Sequence, residues 1–565
     1  MRISALSVLA LGFGLGLVSF QLTACSNSAD DCNATATCGA SSTMPHAGAA
    51  GKSGGGSDTG GDGAGGKTGG GSSNNAGTSG SEGVGGEGGN GSGACTGDVS
   101  EDAACWTTNE LGVFVSSDSG DDSGAGTKEA PFKTITKGIA AAAGKNVYVC
   151  VGAPDYTEHI RLDAASDGIR IYGGFECTNW TYATTRSAQV LSPSNIALRI
   201  DGLKKGAQIE NVGFQAADAT GTGADASSYG AFVTGSKGVK LTRVELKAGK
   251  GAKGADGEAG TTGANAATPE AKQKGTAPAC GTTVEDANGG SWPSAMCGSR
   301  GGNGGATVAN TPGGNGFSGT PGQNVTPANK VNLGGGTSGD NVAGGAGDSG
   351  SNGNEGPMAS AAALAGAFAA VGFTPAAGND GGNGFPGQGG GGGGASGGNV
   401  NGNTTCRGAS GGAGGMGGCG GGGGKAGAGG GASVGLFAWS SDVALVSCSM
   451  ESVAAGAGGK GGESGIQGTG SDGGDGGDAD LAHKIEKGGD GGRGGNGGPG
   501  ANGSGGTGGP SYALVYSAGS QPTYDAVDTT LKAGEPGAAG KGGDGLATKG
   551  LDGTVGASAK EFEVQ

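Results

Sequence analysis

Four shortages in this chain each close off a class of protein. His46, His159 and His483 are the only histidines, and the cysteines form no close CxxC-type cluster. A zinc site is therefore not expected, nor any other metal or cofactor. Proline numbers 17 against 144 glycines in 565 residues, too little for a collagen triple helix. Positive charge is scarce, with 33 Lys and Arg against 49 Asp and Glu and a net charge of −16. That balance argues against nucleic acid as a partner. Finally, no apolar run of about 20 residues occurs beyond the first 24, so no spanning helix is expected.

What is present begins with an export leader. Arg2 is its positive end, an apolar run extends from Leu6 to Phe20, and Leu22-Thr23-Ala24-Cys25 closes it. This segment resembles the lipobox of bacterial lipoproteins, which reads Leu-x-x-Cys with small residues between. The resemblance implies that Leu22, Thr23 and Ala24 are read by the signal peptidase, that cleavage precedes Cys25, and that Cys25 carries the lipid. Ser26 stands where an Asp would mark inner-membrane retention, which favours the outer membrane. Removing residues 1–24 takes away only Arg2, leaving 32 basic against 49 acidic residues and a formal charge of −17. The acids are scattered among glycines and read as a solvated, self-repelling surface.

Setting Cys25 aside, the other eleven of the 12 cysteines suggest disulfides in an exported chain. Pairing in sequence order gives Cys32–Cys38, Cys95–Cys105, Cys150–Cys177, Cys280–Cys297 and Cys406–Cys419. Cys448 is left as a buried thiol. Spacing alone does not fix this connectivity.

The glycines are periodic. They fall every third residue from Gly251 to Gly263, Gly456 to Gly468, Gly488 to Gly509 and Gly534 to Gly543, with shorter pieces at 313–322 and 411–423. Three residues per turn is the period of an extended left-handed helix. Such tracts resemble polyglycine II bundles, in which bare helix edges pack together and bond through their backbones. At about 3.1 Å per residue, 488–509 would reach roughly 70 Å. The alternative is a solvated, flexible loop.

Between the tracts lie short β-rich runs: Asn146–Val151, His159–Leu162, Ile169–Gly173, Ala197–Ile200, Gln208–Phe214 and Gly230–Leu246. Their spacing leaves no room for crossover helices. A unit of strand, turn, strand and glycine tract then repeats, starting at Tyr229, Val434 and Ser511. Repetition at this scale predicts a solenoid whose insertions leave from one face.

Val113-Phe-Val, the Ser/Asp/Gly loop 116–126, Pro131-Phe-Lys-Thr-Ile135 and Ile139, followed by Val147-Tyr-Val, Tyr156-Thr-Glu158 and Ile171-Tyr-Gly-Gly-Phe175, resemble the opening of right-handed parallel β-helix proteins of the pectate-lyase-like superfamily. Over residues 112–250 the chain also resembles uncharacterised bacterial Gly-rich β-helix lipoproteins. The resemblance implies an all-β right-handed solenoid with Thr134–Ala142 as a capping helix. It does not bring the enzymes' chemistry with it. Asp118, Asp121 and Asp122 lie before the cap, Arg170, Arg199 and Arg243 read as isolated outward positions, and Glu158 with His159 forms an acid–base pair only under a substrate.

Two other motifs are set aside. Gly61 to Thr68 spells a phosphate loop without a flanking strand or helix, so no nucleotide is expected. Gly473 to Leu481 approaches a calcium nonapeptide, but Asp480 occupies its apolar position and no tandem copy follows. Residues 358–373, with Leu364, Phe368 and Val371 at helical spacing after Pro357, predict a short helix packed on the glycine layer.

The expected organisation is a signal peptide over 1–24, a Gly/Ser-rich tether over 25–94, a cap and first coils over 95–250, and a glycine insertion over 251–432. A coil over 433–455, a second insertion over 456–510, a last coil over 511–532 and a glycine tail over 533–565 follow. The expected role is a non-enzymatic, lipid-anchored structural or adhesive protein of the cell envelope. Its partner is the membrane, and an extracellular polysaccharide or matrix is the further partner considered. The alternative is a β-helix protein that binds or degrades polysaccharide.

Overall fold

The computed structural model describes residue 95 and residues 97–321, 323–326, 342–362 and 365–565. The leader, Cys25, the tether, the phosphate-loop match and the Cys32–Cys38 pairing lie outside them.

Inward positions of the coils are apolar and alternate with outward ones, and this alternation builds three parallel sheets of seven, five and six strands. Each full turn of the chain supplies one strand to each sheet. Thus Ile196–Asp201 lies in the third sheet, Ala207–Glu210 in the first and Val212–Gln215 in the second. The next turns are Ser228–Thr234, Val239–Thr242 and Glu245–Lys247, then Ser433–Trp439, Val443–Val446 and Ser449–Glu451. The direct register stacks Val147, Ile171, Ile209, Leu241 and Leu445 in one column. Val190, Phe214, Leu246 and Met450 form another. Columns from all three sheets share one core, an arrangement that fits a parallel β-helix. At about 25 cal/mol per Å² of apolar area removed from water, this continuous core is the main stabilising term.

The corners are single residues with left-handed backbone. Asn211, Arg243 and Ser447 have φ of 54°, 51° and 51° and occupy equivalent places between the first and second sheets. They split the expected runs Gln208–Phe214 and Gly230–Leu246 into separate strands. Between the third and first sheets, Ser236 and Ser441 are buried. Their hydroxyls accept the backbone N–H of Leu203 and Ser236, and Ser520 accepts that of Ser441. The ladder satisfies corner amides that the sheets leave unpaired.

Helix Ile135–Ala141 closes the first end. Thr134 caps it by accepting the Lys137 N–H, and Ile135 is buried. At the other end the strand Ser558–Val564 pairs with Ser511–Ser517. It sets Glu561 and Glu563 in the columns of Leu514 and Tyr516, and charges at inward positions deter another strand from adding to the edge. The stretch 533–565 therefore is not a tail throughout.

The helix expected at 358–373 is absent from the described residues there. Gly366–Ala369 and Gly372–Pro375 form a hairpin that sets Phe368 opposite Phe373. Gly372, at φ 101°, turns the chain where a helix would continue. Tyr229 Oη accepts the Phe373 N–H at 2.8 Å, so the hairpin packs on the aromatic outer face of the third sheet, while Thr507 of the glycine layer donates to Ala376 O at 2.9 Å beside it. Tertiary packing overrides the alanine-rich propensity.

Every long excursion leaves after a second-sheet strand and returns at a serine that begins a third-sheet strand. The Ser433 hydroxyl donates to Gly249 O and accepts the Val453 N–H at 2.8 and 2.9 Å. Ser511 does the same between Val453 O and Gly534 N–H at 2.8 and 3.1 Å. The excursions meet as extended segments bonded every third residue. Gly254, Gly257, Gly260 and Gly263 donate to Ala457, Lys460, Glu463 and Ile466 in parallel. Gly494, Gly497, Gly500 and Gly503 donate to Ser471, Gly468, Gly465 and Gly462 in antiparallel.

The number of glycines per turn follows the number of neighbours. Along 411–419 two residues in three are glycine, because a Cβ at Gly414 would lie 1.9 Å from Gly390 O and one at Gly415 2.1 Å from Ser471 O. Along 251–263 only one column in three faces a neighbour, and Lys253, Asp256 and Glu258 occupy exposed places beside it.

Cys95 is bonded to Cys105 and Cys150 to Cys177. The other two expected pairs are corrected, since Cys280 is joined to Cys406 and Cys297 to Cys419. Sequence-order pairing fails here because the returning arm of the large insertion lies beside the outgoing one, bringing together residues 126 and 122 apart. Cys448 is a buried free thiol.

Candidate functional site

The outer face of the first sheet carries the most chemistry. Near the cap its aromatic row, with Phe114, Tyr148 and Tyr172, is buried against Val99 and Trp180. Tyr148 Oη donates to Trp106 O at 2.7 Å, and the Cys95–Cys105 bond holds the covering segment. Beyond that cover the face is open. Arg170 stands opposite Gln208, and Gln208 opposite Lys240. Two adjoining depressions of about 210 and 430 Å³ both include Arg170 and Gln208 in their walls; Tyr172 and Asp98 line the smaller, Lys205 and Lys240 the larger. Burial pushes the Tyr172 phenol up to about 12, so it stays protonated at neutral pH. The Ser100 hydroxyl holds the Asp98 carboxyl below its ordinary value. The larger depression gathers three cations and no carboxylate on a chain of net negative charge, while the smaller sets Asp98 beside Arg170.

Arg243 is not isolated. Its guanidinium donates to Glu210, to Asn211 Oδ1 at 2.7 Å and to Tyr182 Oη at 3.1 Å. Tyr182 in turn donates to Glu210 at 2.5 Å, and the Glu210 side chain is only 2% exposed. Burial, then the hydrogen bond to Glu210, pushes the Tyr182 phenol far up. Every charged group here faces a partner, so the cluster pins the corner and the loop 182–186 rather than presenting a free acid or base.

Arg199 is paired as well, with Asp201 at 2.7 Å and with its guanidinium 4.9 Å from the centre of the Phe232 ring. Burial raises the Asp201 carboxyl, but hydrogen bonds from Thr234 and Arg199 and the nearby Arg161 outweigh it and leave it below its ordinary 3.8. A depressed folded value contributes stability that is present above the unfolded value and is lost as pH falls through the folded one. Asp201→Asn is expected to lower stability at pH 6 while the gap to the wild type narrows below pH 3.8. Denaturant unfolding across that range measures it.

The remaining sequence candidates have structural occupations. Asp122 accepts the Lys133 and Thr134 N–H groups at 2.9 Å each, and Asp121 the Ser123 N–H at 2.9 Å. Glu158 accepts the Ile135 and Thr136 N–H groups at 2.7 and 2.9 Å, where the helix dipole favours a carboxylate. His159 Nδ1 lies 2.7 Å from Ile196 O instead of facing Glu158. In the calcium-like stretch, Asp475 pairs with Lys274 at 2.8 Å and Asp480 with His483 at 2.8 Å. The groove residues Lys205, Gln208 and Lys240 were missed in the sequence. The signal that could have found them is the strand register that aligns Arg170 with Gln208 and Lys240, which the coil repeat hints at only faintly.

A protein family of unknown function, DUF1565, matches residues 118–162. The matched stretch runs from the cap loop into the first third-sheet strand, and the family is associated with β-helix proteins. No curated protein and no solved structure matches the chain. No described helix is long and apolar enough to cross a membrane.

Proposed function

We propose that this chain is a lipid-anchored cell-envelope protein, held through Cys25 at the outer membrane, with a structural or adhesive role and no catalysis. In this reading the three sheets form a right-handed β-helix, and the glycine tracts form a polyglycine II-type layer beside it. The observation that carries the proposal is the backbone lattice joining all three long excursions. Such a lattice gives a broad rigid face, suited to bearing load or meeting an extended partner. The row Arg170, Lys205 and Lys240 favours a second reading, retention of an acidic polysaccharide without turnover.

The test is to produce the full chain in a Gram-negative host, fractionate its membranes and measure the mass of the N-terminal peptide. A diacylglyceryl-modified Cys25 is expected, with Cys25→Ser moving the protein to the soluble fraction. An unmodified Cys25 would sink the anchoring. The purified chain is then passed over immobilised acidic and neutral polysaccharides. Retention of acidic chains that is lost in Arg170→Ala/Lys240→Ala supports the second reading, and release of unsaturated or reducing ends would overturn the absence of catalysis.

A further inference from the structure

Cys280 and Cys406 stand directly opposite each other on the antiparallel strands Ala279–Gly281 and Thr404–Arg407. The turn from Asp480 to Ile485 lies against them, closed by reciprocal Asp480 and Ile485 backbone bonds of 2.9 Å. Asn399, which pairs with Cys406, donates its side-chain amide to His483 O at 2.8 Å. The ligand atoms of Cys280, Asp480 and His483 all lie within 4.8 Å of one another. Asp480 Oδ2 sits 2.8 Å from His483 Nδ1, an arrangement that fixes the imidazole tautomer and leaves Nε2 as a donor for a metal. The two side chains are 40% and 33% exposed for His483 and Asp480, so ions reach them from solvent.

We propose that reduction of the Cys280–Cys406 bond converts this cluster into a site for a thiophilic divalent cation of the Zn²⁺ class, with Cys280, Cys406 and His483 as ligands, Asp480 as the carboxylate that orients His483, and water in the fourth position. An external dithiol delivers two electrons and two protons, becomes a cyclic disulfide, and leaves two protein thiols. The metal then displaces both thiol protons and binds the thiolates. Two thiolates on Zn²⁺ at about 2.3 Å need their sulfurs about 3.8 Å apart, a small separation from the bonded pair. Strand pairing on both sides of the cysteines, with the Ser410 N–H bonded to Thr276 O at 3.0 Å, keeps the thiols adjacent after reduction. In the oxidised state both sulfurs are held in the bond, so metal affinity reports the redox state. The sequence conceals the set because its members come from three separate excursion segments.

The test titrates Co²⁺ into the dithiol-reduced full chain, after removal of excess reductant, and reads the sulfur-to-cobalt charge-transfer band. One equivalent is expected to bind the reduced protein and to be displaced by Zn²⁺, while the oxidised protein gives no band. Asp480→Asn is expected to weaken binding about 10-fold or more, His483→Ala further, and Cys280→Ser/Cys406→Ser to abolish the band. Cys297→Ser/Cys419→Ser leaves it in place, which separates this pair from the other reduced cysteines. The proposal is overturned if the band survives in Cys280→Ser/Cys406→Ser, if His483→Ala binds as tightly as the wild type, or if the reduced chain binds no Co²⁺. Hydrogen exchange at 404–410 in the reduced protein provides the folding control, and loss of protection there also overturns it.

Discussion

Replacing Gly414 by alanine is expected to destabilise the glycine layer by about 3 kcal/mol, the upper end of ordinary overpacking costs. The added methyl would sit 1.9 Å from Gly390 O and 2.4 Å from Gly390 C, and both are backbone atoms that no rotamer change can move. Relief requires the segments to separate. Separation lengthens the bond from Gly414 N–H to Gly302 O, now 2.8 Å, and the bond from Gly390 N–H to Gly415 O, also 2.8 Å. Ala259 is exposed in an outer column, so Ala259→Ser is expected to stay within about 0.5 kcal/mol of the wild type. Amide hydrogen exchange distinguishes the outcomes. Faster exchange at 387–393 and 411–418, with strands Ile196–Asp201 and Ala207–Glu210 unchanged, is the expected pattern. Equal protection in Gly414→Ala and the wild type would remove close packing as the reason for the glycine period.

The second large effect is expected at the corner cluster. Arg243→Met leaves the Glu210 carboxylate, 2% exposed, without its cation, and removing one partner of a buried pair costs about 3–5 kcal/mol. Methionine keeps the side chain's length and the same L-residue backbone demand at φ 51°, so the change isolates the charge. Adding Glu210→Gln to Arg243→Met is expected to recover most of the loss, since a neutral amide can be buried while hydrogen-bonded to Tyr182. A double-mutant cycle by denaturant unfolding checks this. Additive losses in the double variant would mean that the pair does not act as a unit.

Much of the fold was legible because its signals are local. The glycine register, the strand-rich units and the cap at Thr134 all show within a few turns of chain, where side-chain size and backbone period act on near neighbours. The exit of every excursion from one edge also follows from the repeat. Other readings failed for physical reasons that can be named. A single left-handed residue such as Asn211 leaves no break in a β-rich run, so a corner reads as continuous strand. Phe368 at helical spacing has the same look whether its partner is one turn away or, as here, Phe373 across a hairpin. The candidate site was the least legible part. Arg170, Lys205 and Lys240 become one groove only through inter-coil register, and Arg243 finds Glu210 one coil away.

By itself, then, the amino-acid sequence determined the parallel-strand character of the coils and the columns in which glycine must recur. The tertiary structure alone decided which column faces which neighbour, how Cys280, Cys297, Cys406 and Cys419 are paired, and which charges meet. Period and propensity are short-range properties carried by consecutive residues. Pairing across 122 and 126 residues depends on how the arms of an excursion return over one another, a choice made by close packing of the whole layer.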